Sequence, residues 1–164
     1  MDTITREYST LTAASGPIRL DRNIGAAQKA NSSNDAAAYG HYFTWTAINE
    51  TGQFAGAGPG KICPEGFRLP NAAELLAELP ALTASSACAE NALNNLSLPL
   101  AGYRSMNSGD SSAEGGRYSA IRSYVWSRSS TTISDAARLS FTNSTAGISS
   151  DNKLYGYSVR CIQE

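Results

Sequence analysis

The sequence predicts an α+β domain, and three stretches carry that prediction. Residues 71–79 are capped and carry leucines at helical spacing, whereas ARLSFT at 137–142 and LYGYSVRCI at 154–162 alternate apolar and polar side chains. One early helix and a late series of short antiparallel strands make a single domain, and 164 residues can bury a core without help from a metal.

In chain order, the first expected element is a short strand in GPIRLDRNIGAAQ, from Pro17 to Leu20, followed by a polar turn. KANSSNDAAA reads as a loop, and YGHYFTWTAI, residues 39–48, as an aromatic, β-prone segment. Glycines and prolines punctuate ETGQFAGAGPGKICPEG without marking a domain boundary. In RLPNAAELLAELPAL, Asn71 is a good N-cap and Glu74, three residues on, completes a capping box. Leu75, Leu76 and Leu79 then share one face, expected in the core, and Pro80 is expected to stop the helix. A weaker helical piece spans Ala84 to Asn94, and nothing after Leu100 looks helical. In the late strands Leu139 and Phe141 face one way and Arg138, Ser140 and Thr142 the other, while Tyr157, Val159 and Cys161 share a side. There is no internal repeat.

Charge and motifs exclude several classes of function. A net charge of −1, with 16% charged residues, gives no global reason to expect nucleic acid or an acidic membrane as partner. No apolar run approaches the roughly 20 residues of a membrane span, and MDTITREYST lacks the apolar core of a signal peptide, so any export signal is expected to have been trimmed or never to have existed. The sole histidine, His41, sits in an aromatic run and reads as structural. Glu74 is used as a cap, and Asp110, Glu114, Asp135 and Asp151 are scattered through Ser- and Gly-rich loops, so neither metal nor cofactor is expected. GAGPGK, residues 56–61, lacks phosphate-loop spacing and reads as a turn. Cys63, Cys88 and Cys161 show no zinc spacing. A Cys63–Cys161 bond would tie the helix region to the last strand, closing a loop worth about 4 to 5 kcal/mol. The alternative is three reduced, buried thiols; Cys88 has no evident partner in either case.

Six phrases, in order, resemble a known family: LDRNIGAAQ, YGHYFTW, CPEGFRLPNAAE, LPLAGYR, VWSRSS and YGYSVRCI. They are similar to the hallmarks of the Fibrobacter succinogenes major paralogous domain, found in secreted and surface proteins of Bacteroidetes, and the resemblance runs from about Ile18 to Ile162. It implies a C-type-lectin-like fold whose terminal strands meet, with a long, loop-rich surface in the C-terminal half. It also implies that Cys63 and Cys161 are the family's cysteines, which supports their pairing. Sugar-binding members of the wider fold carry Trp-Asn-Asp after a calcium loop. Here the corresponding residues read WSR from Trp126, so calcium-dependent carbohydrate binding is not expected.

The same fold serves the variable proteins of diversity-generating retroelements, in which randomised template adenines rewrite the C-terminal part of a binding protein. AAC or AAT codons can then yield Asn, Tyr, Ser, Thr, Asp or Arg, among others, but not Lys, Glu, Gln, Met or Trp. In RYSAIRSYVWSRSS and the strands beyond it, the outward candidates are Arg117, Tyr118, Ser119, Arg122, Ser123, Tyr124, Arg128, Arg138, Ser140, Thr142 and Tyr155, all within the permitted set. Glu114, Trp126 and Lys153 fall outside it and should be fixed, with Trp126 and Val125 anchoring the fold. The Tyr, Arg and Ser mixture is that of evolved binding surfaces. The leading expectation is therefore an extracellular or cell-surface ligand-binding module, with a phage particle as a further setting. Its partner would be a protein or cell-surface ligand. A non-diversified adhesive domain of a bacterial envelope or pilus comes second. An enzyme comes last, because the formylglycine-generating enzymes that share the fold need reactive cysteines.

Overall fold

The computed structural model describes residues 7–50, 62–106 and 117–164. GAGPGK, Asp110 and Glu114 lie outside the described residues.

Among the described residues nine strands and four α-helices follow one another in an α+β order. The first sheet gathers both ends of the chain. Strands β1 (Thr10–Thr12), β2 (Ile18–Leu20), β9 (Ile162–Gln163) and β4 (Phe67–Arg68) pair antiparallel in that spatial order. Beside the Arg68↔Ile162 pairing, Cys161 is bonded to Cys63 across 98 residues of sequence, with a Cα–Cα separation of 6.0 Å. Closing so long a loop removes on the order of 4 to 5 kcal/mol of freedom from the unfolded chain. Cys88 is free and buried.

The aromatic run is mostly not a strand. Only β3 (Phe43–Thr44) pairs, with β8 (Gly156–Tyr157), and α1 (Trp45–Glu50) begins at once. Two indoles explain why the segment stays put: Trp45 donates Nε1–H to the Ser127 carbonyl, and Trp126 donates to the Phe43 carbonyl, each at 2.8 Å. Each indole thus satisfies its buried polar atom on the backbone beside the other.

The leucine helix divides. Its capping box forms as expected: Asn71 Oδ1 accepts from the Glu74 amide at 2.8 Å, and a Glu74 carboxylate oxygen accepts from the Asn71 amide at 2.9 Å. Helix α2 (Ala72–Leu76) nevertheless ends before Pro80, and α3 (Leu79–Leu82) starts with that proline in its first turn. Proline lacks only an N–H that a first turn leaves unpaired, so it opens a helix as readily as it ends one. The break also redirects the leucines. Leu75 and Leu82 are buried and Leu79 is half-buried, whereas Leu76 is 55% exposed and is not core. The weakly marked later segment becomes the longest helix, α4 (Cys88–Leu96), burying Cys88, Ala89, Ala92 and Leu96. Its polar Asn91 is put to use, donating from Nδ2 to the Leu82 carbonyl at 2.9 Å.

A three-stranded antiparallel sheet follows: β5 (Arg122–Ser130), β6 (Asp135–Thr142) and β7 (Ala146–Asn152), with β6 central. One face packs Val125, Leu139 and Phe141 onto Leu75, Leu82, Ala92 and Leu96 of the helices. At one end of the other face Trp126 and Ala136 enter a second core with Leu20, Trp45, Val159 and Cys161. The two cores are joined by Arg160, 2% exposed, which donates to the carbonyls of Leu96 and Ser97 at the end of α4, and to Asn23 Oδ1 and the Leu20 carbonyl. Burial, then the nearby Arg19, pull its guanidinium below the usual arginine range, while Asp21 acts against them.

Candidate functional site

Register decides which side chains share a surface. On β5 and β6, Arg122 stands opposite Thr142, Tyr124 opposite Ser140, and Trp126 opposite Arg138. On β6 and β7, Ser140 faces Gly147, Arg138 faces Ser149, and Ala136 faces Asp151. Directly opposed residues project to the same side, so Arg122, Tyr124, Arg138, Ser140, Thr142, Ser149 and Asp151 occupy the face turned away from the helices.

A third segment borders this face. Tyr103 pairs with Arg117 through two backbone bonds of 3.0 and 2.7 Å, and Arg104 pairs with Gly156 at 2.8 and 3.1 Å. Gly102 permits the approach. It holds φ at +73°, and a Cβ there would lie 2.2 Å from the Arg117 carbonyl oxygen. The adjoining turn is strained, with Tyr118 at φ 57° and Ala120 at φ 67°. It lifts the Tyr118 ring, 53% exposed, onto Tyr103, with centroids 5.9 Å apart.

Five tyrosines thereby meet. Tyr103 touches Tyr118, Tyr124, Tyr155 and Tyr157, while Tyr124 and Tyr155 stack on Tyr157 at 4.8 and 5.8 Å. Tyr157 in turn rests on Trp126 at 4.3 Å, which anchors the cluster to the core. Tyr103, Tyr124, Tyr155, Tyr157, Arg138 and Asp151 line an open pocket of about 160 Å³.

Its polar groups are fixed by one another. Arg138 lies over the Tyr124 ring at 5.3 Å, bonds Asp151 at 2.6 Å and donates to Ser140 Oγ at 2.9 Å. The same Asp151 oxygen accepts from the Tyr157 hydroxyl. Burial, then that bond and the Asp151 charge, push the Tyr157 hydroxyl far above its usual range, so it remains a proton donor. At the rim, the Arg122 guanidinium lies over the Tyr118 ring at 5.6 Å. The Tyr124 side chain beside it, accepting from the guanidinium, raises its pKa.

The expected site residues fall into four groups. Tyr118, Arg122, Tyr124, Arg138, Ser140 and Tyr155 come together, with Arg117 and Ser119 in the bordering turn. Thr142 shares the face, but its hydroxyl is occupied at the β6–β7 turn by Thr145. Arg128 is exposed and lies apart from the pocket: past the irregular pairing after Trp126, its amide bonds the Pro70 carbonyl. Ser123 does not face outward at all. It is fully buried, because strand alternation between Arg122 and Tyr124 turns it to the helix side.

Tyr103, Asp151 and Tyr157 complete the pocket and were not foreseen there. Tyr157 shares a side with Val159 and Cys161 and is buried with them, yet it also lines the pocket wall. Asp151 belongs to a strand, and alternation through Gly147, Ser149 and Asp151 is the signal that could have placed it. Among the described residues no group of three His, Cys, Asp or Glu side chains could hold a metal ion. What the arrangement offers is flat aromatic area, guanidinium donors and one tethered carboxylate, which are means of recognition.

In comparisons with family models, curated proteins and solved structures, nothing matches this chain.

Proposed function

We propose that this chain is a ligand-binding module of C-type-lectin-like fold, acting outside the cell or at its surface, whose outward β5–β7 face is rewritten between copies to change what it binds. The observation that carries this reading is the Tyr- and Arg-built pocket on one face of a sheet whose other face is core. Tyrosine gives rigid contact area at small entropic loss, and arginine gives forked donors. A long-range disulfide fits an oxidising compartment. Among the described residues no helix is long and apolar enough to cross a membrane.

Sequencing many natural copies of the gene, together with the DNA beside it, tests the proposal. Differences should gather at Arg117, Tyr118, Ser119, Arg122, Tyr124, Arg138, Ser140 and Tyr155 and spare Val125, Trp126, Leu139 and Phe141. An adenine-biased near-copy and a reverse-transcriptase gene should lie nearby. Copies that are invariant on this face would overturn the rewriting. In that case, unchanged attachment of Tyr124→Ala protein to its host cells would overturn the binding role too.

A further inference from the structure

We infer that this face takes an acidic ligand: a carboxylate-bearing segment of a partner protein, whose neighbouring flat or small apolar group enters the tyrosine pocket. The inference rests on the reading of the β5–β7 face as the binding surface and adds the chemistry of the partner.

The local charge is the first argument. Around the pocket the described residues supply Arg117, Arg122 and Arg138 against Asp151 alone, in a chain whose net charge is −1. Asp151 is already paired with Arg138, which leaves the other two arginines without a carboxylate partner among the described residues. Elsewhere, Arg19, Arg22 and Arg68 are matched to Glu78, Asp21 and Glu74.

Preorganisation is the second. Arg122 is exposed yet held, between the Tyr118 ring at 5.6 Å and the Tyr124 side chain. No carboxylate among the described residues forms an ion pair with it. A guanidinium held on aromatic rings loses little freedom on pairing, and its fork matches a carboxylate in two bonds. Among the described residues Arg128 has no ion-pair partner either, and no ring contact supports it.

The third argument orients the ligand. Asp151 lines the pocket, so a second anion inside would meet a like charge. The carboxylate must therefore sit at the rim on Arg122, while the uncharged neighbour occupies a space of about 160 Å³, the size of one side chain. Nucleic acid is disfavoured, since it calls for a run of cations tracking successive phosphates.

Panning a random-peptide library displayed on phage against the folded chain tests this. Enriched peptides should place Asp or Glu beside an aromatic or small apolar residue. A synthetic peptide of that consensus should bind Arg122→Gln about tenfold or more weakly at unchanged melting temperature. It should also lose affinity as salt rises. Neutral or basic enriched peptides whose binding still fails in Tyr124→Ala would overturn the acidic ligand and leave the site standing. Acidic peptides that bind Arg122→Gln and Tyr124→Ala as tightly as the parent would overturn the site itself. Failure to enrich any peptide, or preferential binding of sulfated oligosaccharides in a parallel assay, would also overturn the inference.

Discussion

The two faces of the β5–β7 sheet are built from the same strands and obey opposite rules. On the inner face Ser123, Val125, Leu139 and Phe141 are each no more than 1% exposed. On the outer face Arg122 is exposed, and Tyr124, Arg138, Ser140 and Asp151 are half-buried and bonded mainly to one another. Inner residues answer to helices fixed elsewhere in the chain, so their shape is constrained. Outer residues answer to each other and to solvent. A surface of this kind can change by whole sets of side chains while the strand pairing beneath it persists.

The inner face should be the easiest to break. Phe141→Ala deletes a ring packed among Leu75, Leu82 and Leu139, and should cost about 3 to 5 kcal/mol, read as a lower urea midpoint. A loss below about 1 kcal/mol would mean that the helices are not seated on this sheet as described.

Acid should loosen the same face through α2. Arg68 bonds both Glu74 oxygens at 2.7 and 2.9 Å; that bond, opposed by burial and aided by the Asn71 amide, holds the Glu74 carboxyl below its usual range. A depressed folded pKa adds stability above the unfolded value, and the addition is lost as pH falls from that value through the lower folded one. Melts taken downward from neutral pH through this acid window should show the loss. In Glu74→Gln, which keeps the helix cap but carries no charge, this acid-dependent loss should shrink, by no more than about 1 kcal/mol for a pair that solvent partly screens.

These elements also show what the sequence makes legible. The capping box and the alternation of Arg138, Ser140 and Thr142 against Leu139 and Phe141 are local, and both hold in the structure. Alternation and turn location in the sequence count Ser123 among the outward residues, but the register of β5, with Arg122 and Tyr124 outward, puts it inward. The site was half legible. Tyr118, Tyr124 and Tyr155 announce themselves by composition, but Tyr103 arrives through a bridge to Arg117, and Asp151 becomes a pocket residue only through pairing with β6. Long-range pairing leaves no trace in local spacing. The division at Pro80 was missed for a different reason, since a proline after a leucine run marks a start and a stop alike.

Strain at the turn separates the faces more finely. Ala120 holds φ at 67°, a region that disfavours any side chain. Ala120→Gly should therefore raise stability by up to about 1 kcal/mol, less whatever the more flexible unfolded chain takes back. A decrease would show that the turn is held by contacts of the Ala120 methyl, and that Tyr118 is positioned by packing instead of by backbone geometry.

The smallest effect is the most telling. Arg122→Gln removes an exposed guanidinium whose contacts are the Tyr118 ring and the Tyr124 side chain. Exposed contacts of this sort contribute little, so the urea midpoint should stay where it is in the parent. The outer face is then a layer whose members can be exchanged without the scaffold registering it. A clear fall in that midpoint would erase the distinction between the faces, because Arg122 would then be holding the Tyr118 turn onto the sheet. Comparing the melt of Arg122→Gln with that of Phe141→Ala, in one buffer and at one pH, measures the distance between scaffold and surface directly.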